Sequence, residues 1–240
     1  MNDLIDCGLE TGLCTNCIHK GGFELLVNEM MNKNVVTLKP TDTIGKAIQL
    51  FREKNIRHLP VINEDDHCIG IISDRDIRSA VPSSLLQFEE MSKVLNQTVD
   101  TIMVKDVITV HPLDFFEEAA VLFNQYRIGC LPVESENKLV GIITQTDIIQ
   151  TFITLTGTDQ PGSQIEVRLH NQTGQLAELT RLISNENINI LSVLIYPDQI
   201  HPNDNIIVLR LSTINPLPVI KSLENHGVEV IFPKLKEYPI

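Results

Sequence analysis

Apolar residues recur along the chain in two rhythms. In the run Thr43-Ile-Gly-Lys-Ala-Ile-Gln-Leu-Phe51, Ile44, Ala47, Ile48 and Phe51 fall at i, i+3, i+4 and i+7, the spacing that gathers side chains on one face of a helix. A threonine at its head can accept a bond from the N–H groups of the first turn. Ahead of the helix, residues 35–38 are β-rich and run toward Pro40, which has no N–H to extend a ladder. Behind it, the apolar runs 59–62 and 69–72 flank a polar turn at 63–67 and predict two strands. A second helix is expected from Ser73 or Asp74. The order is β-α-β-β-α.

The whole pattern then returns. Met31-Asn-Lys-Asn-Val-Val-Thr-Leu-Lys-Pro40 reappears as Met103-Val-Lys-Asp-Val-Ile-Thr-Val-His-Pro112, five of ten positions identical at an offset of 72. Asp42 matches Asp114, Ala47 matches Ala119, and Ile56-Arg-His-Leu-Pro-Val61 matches Ile128-Gly-Cys-Leu-Pro-Val133. After one deletion, Gly70-Ile-Ile-Ser-Asp-Arg-Asp-Ile77 matches Gly141-Ile-Ile-Thr-Gln-Thr-Asp-Ile148. So many positions kept in step identify an internal duplication. Gly70 and Gly141 suit a close backbone approach at a strand start.

Beyond a turn-rich linker at 156–163 the rhythm changes. Residues 164–170 alternate polar and apolar, and Asn171-Gln-Thr-Gly174 turns the chain into a helix carrying Leu176, Leu179, Leu182 and Ile183. Strands at 188–196 and 206–211, a helix at 218–226 and a strand at 228–232 complete a β-α-β-β-α-β order, which is ferredoxin-like. The fold class is therefore α+β. Its predicted domains are 25–87, 98–156 and 164–240, behind an N-terminal extension 1–24.

Charge narrows the function classes. The 240 residues hold 19 Lys plus Arg against 31 Asp plus Glu, a net charge of -12. Such a field repels phosphate backbones and anionic lipid, so neither nucleic acid nor a membrane is an expected partner. No apolar run approaches the roughly 20 residues of a membrane helix. Five cysteines at uneven spacing make no disulfide framework, and without a basic start and apolar core the N-terminus does not read as a secretion signal. A cytoplasmic protein is expected. Cys68 and Cys130 read as small core residues. Cys14-Thr-Asn-Cys17-Ile-His19, with Cys7, has the spacing of half a zinc site but no second cluster to complete it, so no metal is assigned. Lys20-Gly21-Gly22 can be encoded by a bacterial ribosome-binding consensus, and Leu25 by an alternative start codon. Residues 1–24 are therefore expected to be untranslated leader.

The recurring Gly-apolar-apolar-Ser/Thr-x-x-Asp carries the candidate chemistry. Ser73 or Thr144, at a helix start, can offer a hydroxyl beside unpaired N–H groups. Asp76 or Asp147, one turn on, can accept both hydroxyls of a ribose. The same residues can equally serve as helix caps alone. This β-α-β-β-α unit with that ending resembles the CBS domain, and two in tandem resemble the Bateman module; the likeness runs from residue 27 to about 155. The resemblance implies a cleft for an adenosine nucleotide (AMP, ADP or ATP) in each copy. Ser73 and Asp76, or Thr144 and Asp147, would hold the phosphate side and the ribose. The adenine would lie against the β-segment around Thr37 or Thr109, near Pro60 or Pro132, and Arg57, His58 and Arg75 are phosphate candidates. Arg57-His58 becomes Gly129-Cys130 in the second copy, which predicts one stronger cleft and one weaker or empty one.

The C-terminal module, entering its first helix through Gly174-Gln-Leu, resembles an ACT domain. This implies pairing of sheets between two copies of the chain, or an amino-acid site at Asn171, Thr173, Gly174, Gln175 and Leu176; the family's usual Asp-x-Pro-Gly lacks its proline here. The CBS-CBS-ACT order, with the segments HPLDFFEEAA, IGCLPV, GTDQPGSQIEV, ILSVLIYP and NPLPVI, resembles the acetoin utilization protein B (AcuB) family. That implies a role linked to acetoin catabolism. No Gly-x-Ser-x-Gly, Walker loop or HExxH is present, so the protein is expected to be no enzyme and to use no catalytic cofactor. The reading is a homodimeric regulatory sensor acting on an unidentified protein partner. The alternatives are an interaction scaffold with vestigial clefts and an amino-acid sensor through the ACT domain.

Overall fold

A computed structural model describes residues 25–80 and 88–234 and divides by packing into two units, residues 1–144 and 145–240. The expected leader, with Cys7, Cys14, Cys17 and His19, lies outside the described residues.

In the first unit, the chain forms helix α1 (Val27–Met30), α2 (Ile44–Lys54), strands β1 (His58–Ile62) and β2 (Cys68–Ser73), then α3 (Asp74–Ala80) and α4 (Phe88–Leu95). A single 3-10 turn, Val99–Thr101, leads into α5 (Phe116–Tyr126), β3 (Cys130–Ser135) and β4 (Lys138–Thr144). Helix α2 forms where the spacing predicts it. Thr43 Oγ1 accepts from Lys46 N at 3.2 Å, Ile44, Ala47 and Phe51 are buried, and Asn55 ends the helix in the left-handed region. β1 pairs antiparallel with β2, His58 opposite Ser73; β3 pairs with β4 in the same way, Cys130 opposite Thr144.

The β-rich segments at 35–38 and 107–110 do not become strands. Each makes one parallel bridge, Leu38 to Val61 and Val110 to Val133. Prolines stop both from growing. Leu38 N donates to the Pro60 carbonyl and Ile62 N to the Leu38 carbonyl, each at 2.9 Å. The next bond in one direction would need an N–H from Pro60 and in the other an N–H from Pro40. Pro132 and Pro112 hold the matching positions in the second copy.

The two copies exchange their leading segments. Leu26 bridges Phe115, Val27 N donates to Asp114 O at 2.9 Å, and Asn32 bridges Ile142, so residues 25–32 lie on the second copy. The reciprocal set, Thr98 with Thr43, Val99 N to Asp42 O at 2.8 Å and Val104 with Ile71, lays residues 97–104 on the first. Val99, fully buried, belongs to the first copy's core with Leu38, Ile44, Leu59, Val61 and Ile72, and Met103 packs against it. This exchange gives the two repeated glycines their reason. A Cβ on Gly70 would overlap Met103 Sδ and come within 2.9 Å of its Cγ; on Gly141 it would meet Met31 in the same way. The close approach is therefore by a side chain of the other copy.

The second unit comprises α6 (Gln145–Thr156), β5 (Ser163–His170), α7 (Gln175–Asn185), β6 (Ile190–Pro197), β7 (Asp204–Leu211), α8 (Leu217–Asn225) and β8 (Glu229–Phe232). Its antiparallel sheet has the order β6-β7-β5-β8, the expected ferredoxin-like topology. Ile165, Val167 and Leu169 of β5 and Ile207, Leu209 and Leu211 of β7 meet Leu179, Leu182 and Ile183 of α7 and Val219, Ile220 and Leu223 of α8 in one core. On the opposite face Arg168 donates to Asp198 at 2.6 Å and to Glu229 at 2.5 Å. Helix α6 packs with β6, Ser192 Oγ donating to Thr156 O at 2.8 Å.

Candidate functional site

The first copy assembles its expected residues at one end of the β1–β2 pair. Ser73 closes β2 and Asp76 stands in the first turn of α3. Ser73 Oγ donates to Asp76 Oδ2 at 2.6 Å, Ser73 N donates to the same oxygen at 2.8 Å, and Asp76 N donates back to Ser73 Oγ at 3.3 Å. This is a reciprocal capping box, so the capping role is realised. Asp76 Oδ1 takes no part in that exchange. Across the strand pair, His58 is half-buried opposite Ser73. The Arg57 carbonyl accepts from Asp74 N at 3.0 Å, tying the segment before β1 to the start of α3, while the Arg57 and Arg75 side chains are exposed. Thr37 precedes Leu38, whose N–H donates to Pro60 O, so the β-segment and β1 meet at the same pair of strands.

Burial pushes the His58 imidazole below its ordinary 6.5; the Asp76 carboxylate draws it back up and Arg57 adds to the depression. His58 also explains a difference that the sequence shows only as a loss. A Cβ on Gly129 would lie 2.9 Å from His58 Nε2 and 3.0 Å from Cε1. Glycine at 129, where the first copy has Arg57, leaves room for the His58 ring. The matching position of His58 itself is Cys130, which is buried as expected; burial pushes its thiol up to about 12, with Cys68 and Asp76 adding to the rise. Cys68 is only half-buried, its thiol pushed up to about 11 by burial, and its N–H donates to Glu134 Oε1 at 3.1 Å.

In the second copy Val110 N donates to Pro132 O at 3.1 Å, so Thr109 and Pro132 repeat the arrangement of Thr37 and Pro60. Thr144 closes β4 opposite Cys130, and Asp147 stands in the first turn of α6. The division between the two packing units falls between Thr144 and Gln145.

The candidate ACT site is a surface turn. Asn171 N donates to Asn203 O at 2.9 Å and Gln172 N to His170 O at 2.8 Å. Gly174, at φ +94, leads into α7 with open space where a Cβ would stand. Asn171, Thr173 and Leu176 are exposed and Gln175 half-buried; Leu176 faces solvent while Leu179, Leu182 and Ile183 enter the core. Among the described residues, no three His, Cys, Asp or Glu side chains gather as a metal site. No helix there is long and apolar enough to cross a membrane.

Sequence reasoning missed Met31 and Met103 as contacts between copies, and Gly129 as the seat of His58. The methionines had left a signal, identity at the offset of 72.

Comparison with known proteins matches the CBS domain at residues 27–83 and 99–153 and the ACT domain at 163–227. A CBS domain-containing protein of Dictyostelium discoideum is 30% identical over 134 residues, 54% of this chain and 92% of its own length. An uncharacterized protein of Methanocaldococcus jannaschii is 35% identical over 65% of this chain, which spans 49% of that relative. This chain spans 28% of a homoserine O-acetyltransferase of Methanococcus vannielii, at 33% identity over 60% of its own residues. Among solved structures, a putative acetoin utilization protein (AcuB) from Vibrio cholerae is 31% identical, covering 57% of this chain and 97% of that one, with a TM-score of 0.49. The CBS domain pair of protein MJ0100, solved with 5-methylthioadenosine and S-adenosyl-L-methionine, is 28% identical over 56% of this chain and 98% of its own, with a TM-score of 0.47. The chain belongs to the CBS domain proteins and carries a tandem CBS pair followed by an ACT domain.

Proposed function

We propose that the protein is a non-catalytic regulator that senses an adenosine nucleotide, AMP, ADP or ATP, through its CBS pair and acts in acetoin utilization. The observation that carries this reading is the hydroxyl and carboxylate of Ser73 and Asp76 held together at the end of β1–β2, with His58 across from them. A ribose can take over the bonds that Ser73 now makes to Asp76, exchanging one set of charge-assisted bonds for another. Arg57 and Arg75, both exposed, are within the same short stretch of chain as candidates for phosphate. The chain is read as a homodimer, through the sheets of its CBS pair, its ACT domain or both, and nucleotide binding as a shift in its affinity for a protein partner. By reciprocity that partner shifts nucleotide affinity by the same factor.

Titration calorimetry of the full chain with AMP, ADP, ATP, S-adenosylmethionine and amino acids tests the reading. Binding of an adenosine ligand, weakened in Asp76→Ala or Asp147→Ala, is expected. Unchanged affinity in both variants overturns the site, and binding of no nucleotide hands the function to the scaffold reading. Binding of an amino acid that Gly174→Val abolishes favours the ACT turn instead. For the acetoin link, the expected outcome is that a strain lacking the gene grows poorly on acetoin and normally on glucose.

A further inference from the structure

The duplication also sorts the cations. Around the end of α2, the approach to β1 and helix α3, the first copy places Arg52, Lys54, Arg57, Arg75 and Arg78, all exposed. The matching positions of the second copy are Asn124, Tyr126, Gly129, Thr146 and Ile149, none of them charged. Arg127, in place of Asn55, is the cation it keeps in these stretches. Local contacts bring the first copy's three stretches to one end of β1–β2, the end that carries Ser73 and Asp76. Ile56 N donates to Phe51 O at 3.2 Å, Asp74 N donates to the Arg57 carbonyl at 3.0 Å, and α2 packs against α3. The acidic turn Glu64, Asp65 and Asp66 is at the other end of the strands, where Ile62 pairs with Cys68. Of the acids that remain close, Asp74 is held by Arg78 at 2.5 Å and Glu53 accepts from Gln49 at 2.6 Å. Among the described residues, Arg52, Lys54, Arg57 and Arg75 make no ion pair. In a chain of net charge -12, this end sets five cations against Glu53, Asp74 and Asp76.

We infer that this end of the first copy selects the polyphosphate tail of its nucleotide and takes ATP in preference to AMP. The inference rests on the nucleotide reading above and chooses among its three ligands. In that reading Asp76 accepts the ribose, and its charge opposes any phosphate nearby. A single phosphate carries about -1.5 to -2 at neutral pH, which Arg57 and one further cation balance. Exposed cations beyond that number repel one another unless a larger anion meets them. Arg75 and Arg78 stand one turn apart on the same side of α3. A chain of phosphates can therefore engage both, through the planar forks by which guanidinium groups grip phosphate oxygens. Lys54 and Arg52 extend the field outward and favour the ligand of higher charge. The same field opposes an adenosine ligand that carries a sulfonium where AMP carries phosphate.

Titration calorimetry of the full chain with adenosine, AMP, ADP and ATP, without added metal, tests this at the binding step that Asp76→Ala weakens. ATP should bind there about 10-fold or more tightly than AMP, with ADP between them and adenosine weakest. The advantage of ATP should shrink as salt is raised. Arg75→Gln and Arg78→Gln should each weaken ATP about 5- to 10-fold and AMP less, so that the ratio narrows. Asp74→Asn, which removes the acid that Arg78 neutralises, should tighten ATP. Arg127→Gln, in the second copy, should leave the ratio unchanged. Circular dichroism checks that each variant folds. AMP bound as tightly as ATP overturns the inference and leaves the nucleotide reading standing. So does an ATP advantage that survives the Arg75→Gln, Arg78→Gln double variant, or a nucleotide step indifferent to Asp76→Ala. Binding of no adenine nucleotide at all overturns both.

Discussion

The two CBS copies are alike where they hold each other and unlike where they face solvent or a ligand. Each sends its leading segment onto the other, and each receives a methionine over a glycine: Met103 on Gly70, Met31 on Gly141. Changing one side of that exchange breaks packing in the opposite copy, so both sides stay the same. The positions that diverge are those without such a mirror. Arg57 and His58 stand where the second copy has Gly129 and Cys130, and Thr43, Gln49 and Lys54 on and beside α2 stand where it has the exposed Phe115, Val121 and Tyr126. One of these changes breaks the symmetry inside the pair itself, because the His58 ring lies where any side chain at 129 would stand. Duplication has preserved the mutual contacts and released the clefts and outward faces to differ.

Four experiments press on that contrast. The largest effect is expected in the clefts. Asp76→Ala should weaken the tighter nucleotide step about 100-fold, the loss of about 3 kcal/mol of charge-assisted bonding to ribose, and Asp147→Ala should weaken it less. Equal losses, read by calorimetry, would make the clefts equivalent. Next come the glycines. Gly70→Ala and Gly141→Ala should each cost about 1–3 kcal/mol by overpacking in denaturant unfolding, and by similar amounts, with Met103→Ala relieving the first and Met31→Ala the second. A large difference between the two would mean that the exchange is less symmetric than its contacts.

A smaller effect, about 1 kcal/mol, is expected from Gly129→Ala, because a ring can swing aside more readily than a packed methionine stem. It should move the His58 ring resonances in NMR, and in a His58→Ala background its cost should vanish. Arg57→Ala, on the exposed side chain that Gly129 replaces, should stay within about 0.5 kcal/mol of the parent. The slightest signal is in pH. His58 is held below its ordinary 6.5, so the unfolded chain binds the extra proton first. The stability this neutral histidine allows is full above about 6.5 and is lost as pH falls toward its lowered value. His58→Gln should flatten that part of the profile, and the second copy, with cysteine at this position, has no counterpart.

Much of this architecture was open to reading in the chain. The offset of 72 was visible because its identities fall on Met31, Pro40 and their mates, residues whose shape is required by packing or by the missing N–H of proline. Helix α2 was legible because its whole apolar face, Ile44 to Phe51, is local. What stayed hidden is what local pattern does not carry. An offset says that residues 25–32 and 97–104 are equivalent, not which copy each lies on. The β-segments looked like strands because their side chains suit one; the obstacle lay in prolines on the partner strand as well as at their own ends. Leu176 shares the helical spacing of Leu179 and Ile183 yet stands at the first turn of α7, before the helix reaches the sheet. At the cleft, Ser73 and Asp76 were legible as a pair, whereas Gly129 looked like an absent cation because its neighbour His58 is 71 residues away in sequence.

The exchanged segments also say how this half of the chain must fold. Val99 completes the core around Ile44 and Leu59, although it belongs by sequence to the second repeat. Neither repeat closes its own core, so the two should melt in a single transition, with the covalent connection between them acting as a tether that raises the concentration of one for the other. Cut that tether and a lone repeat could satisfy itself only by trading segments with an identical molecule. The tandem has the contact pattern of a domain-swapped dimer whose two subunits are joined in one chain. Joined in one chain, the halves need not be the same, and one holds a histidine, His58, where the other has a glycine, Gly129, to receive it.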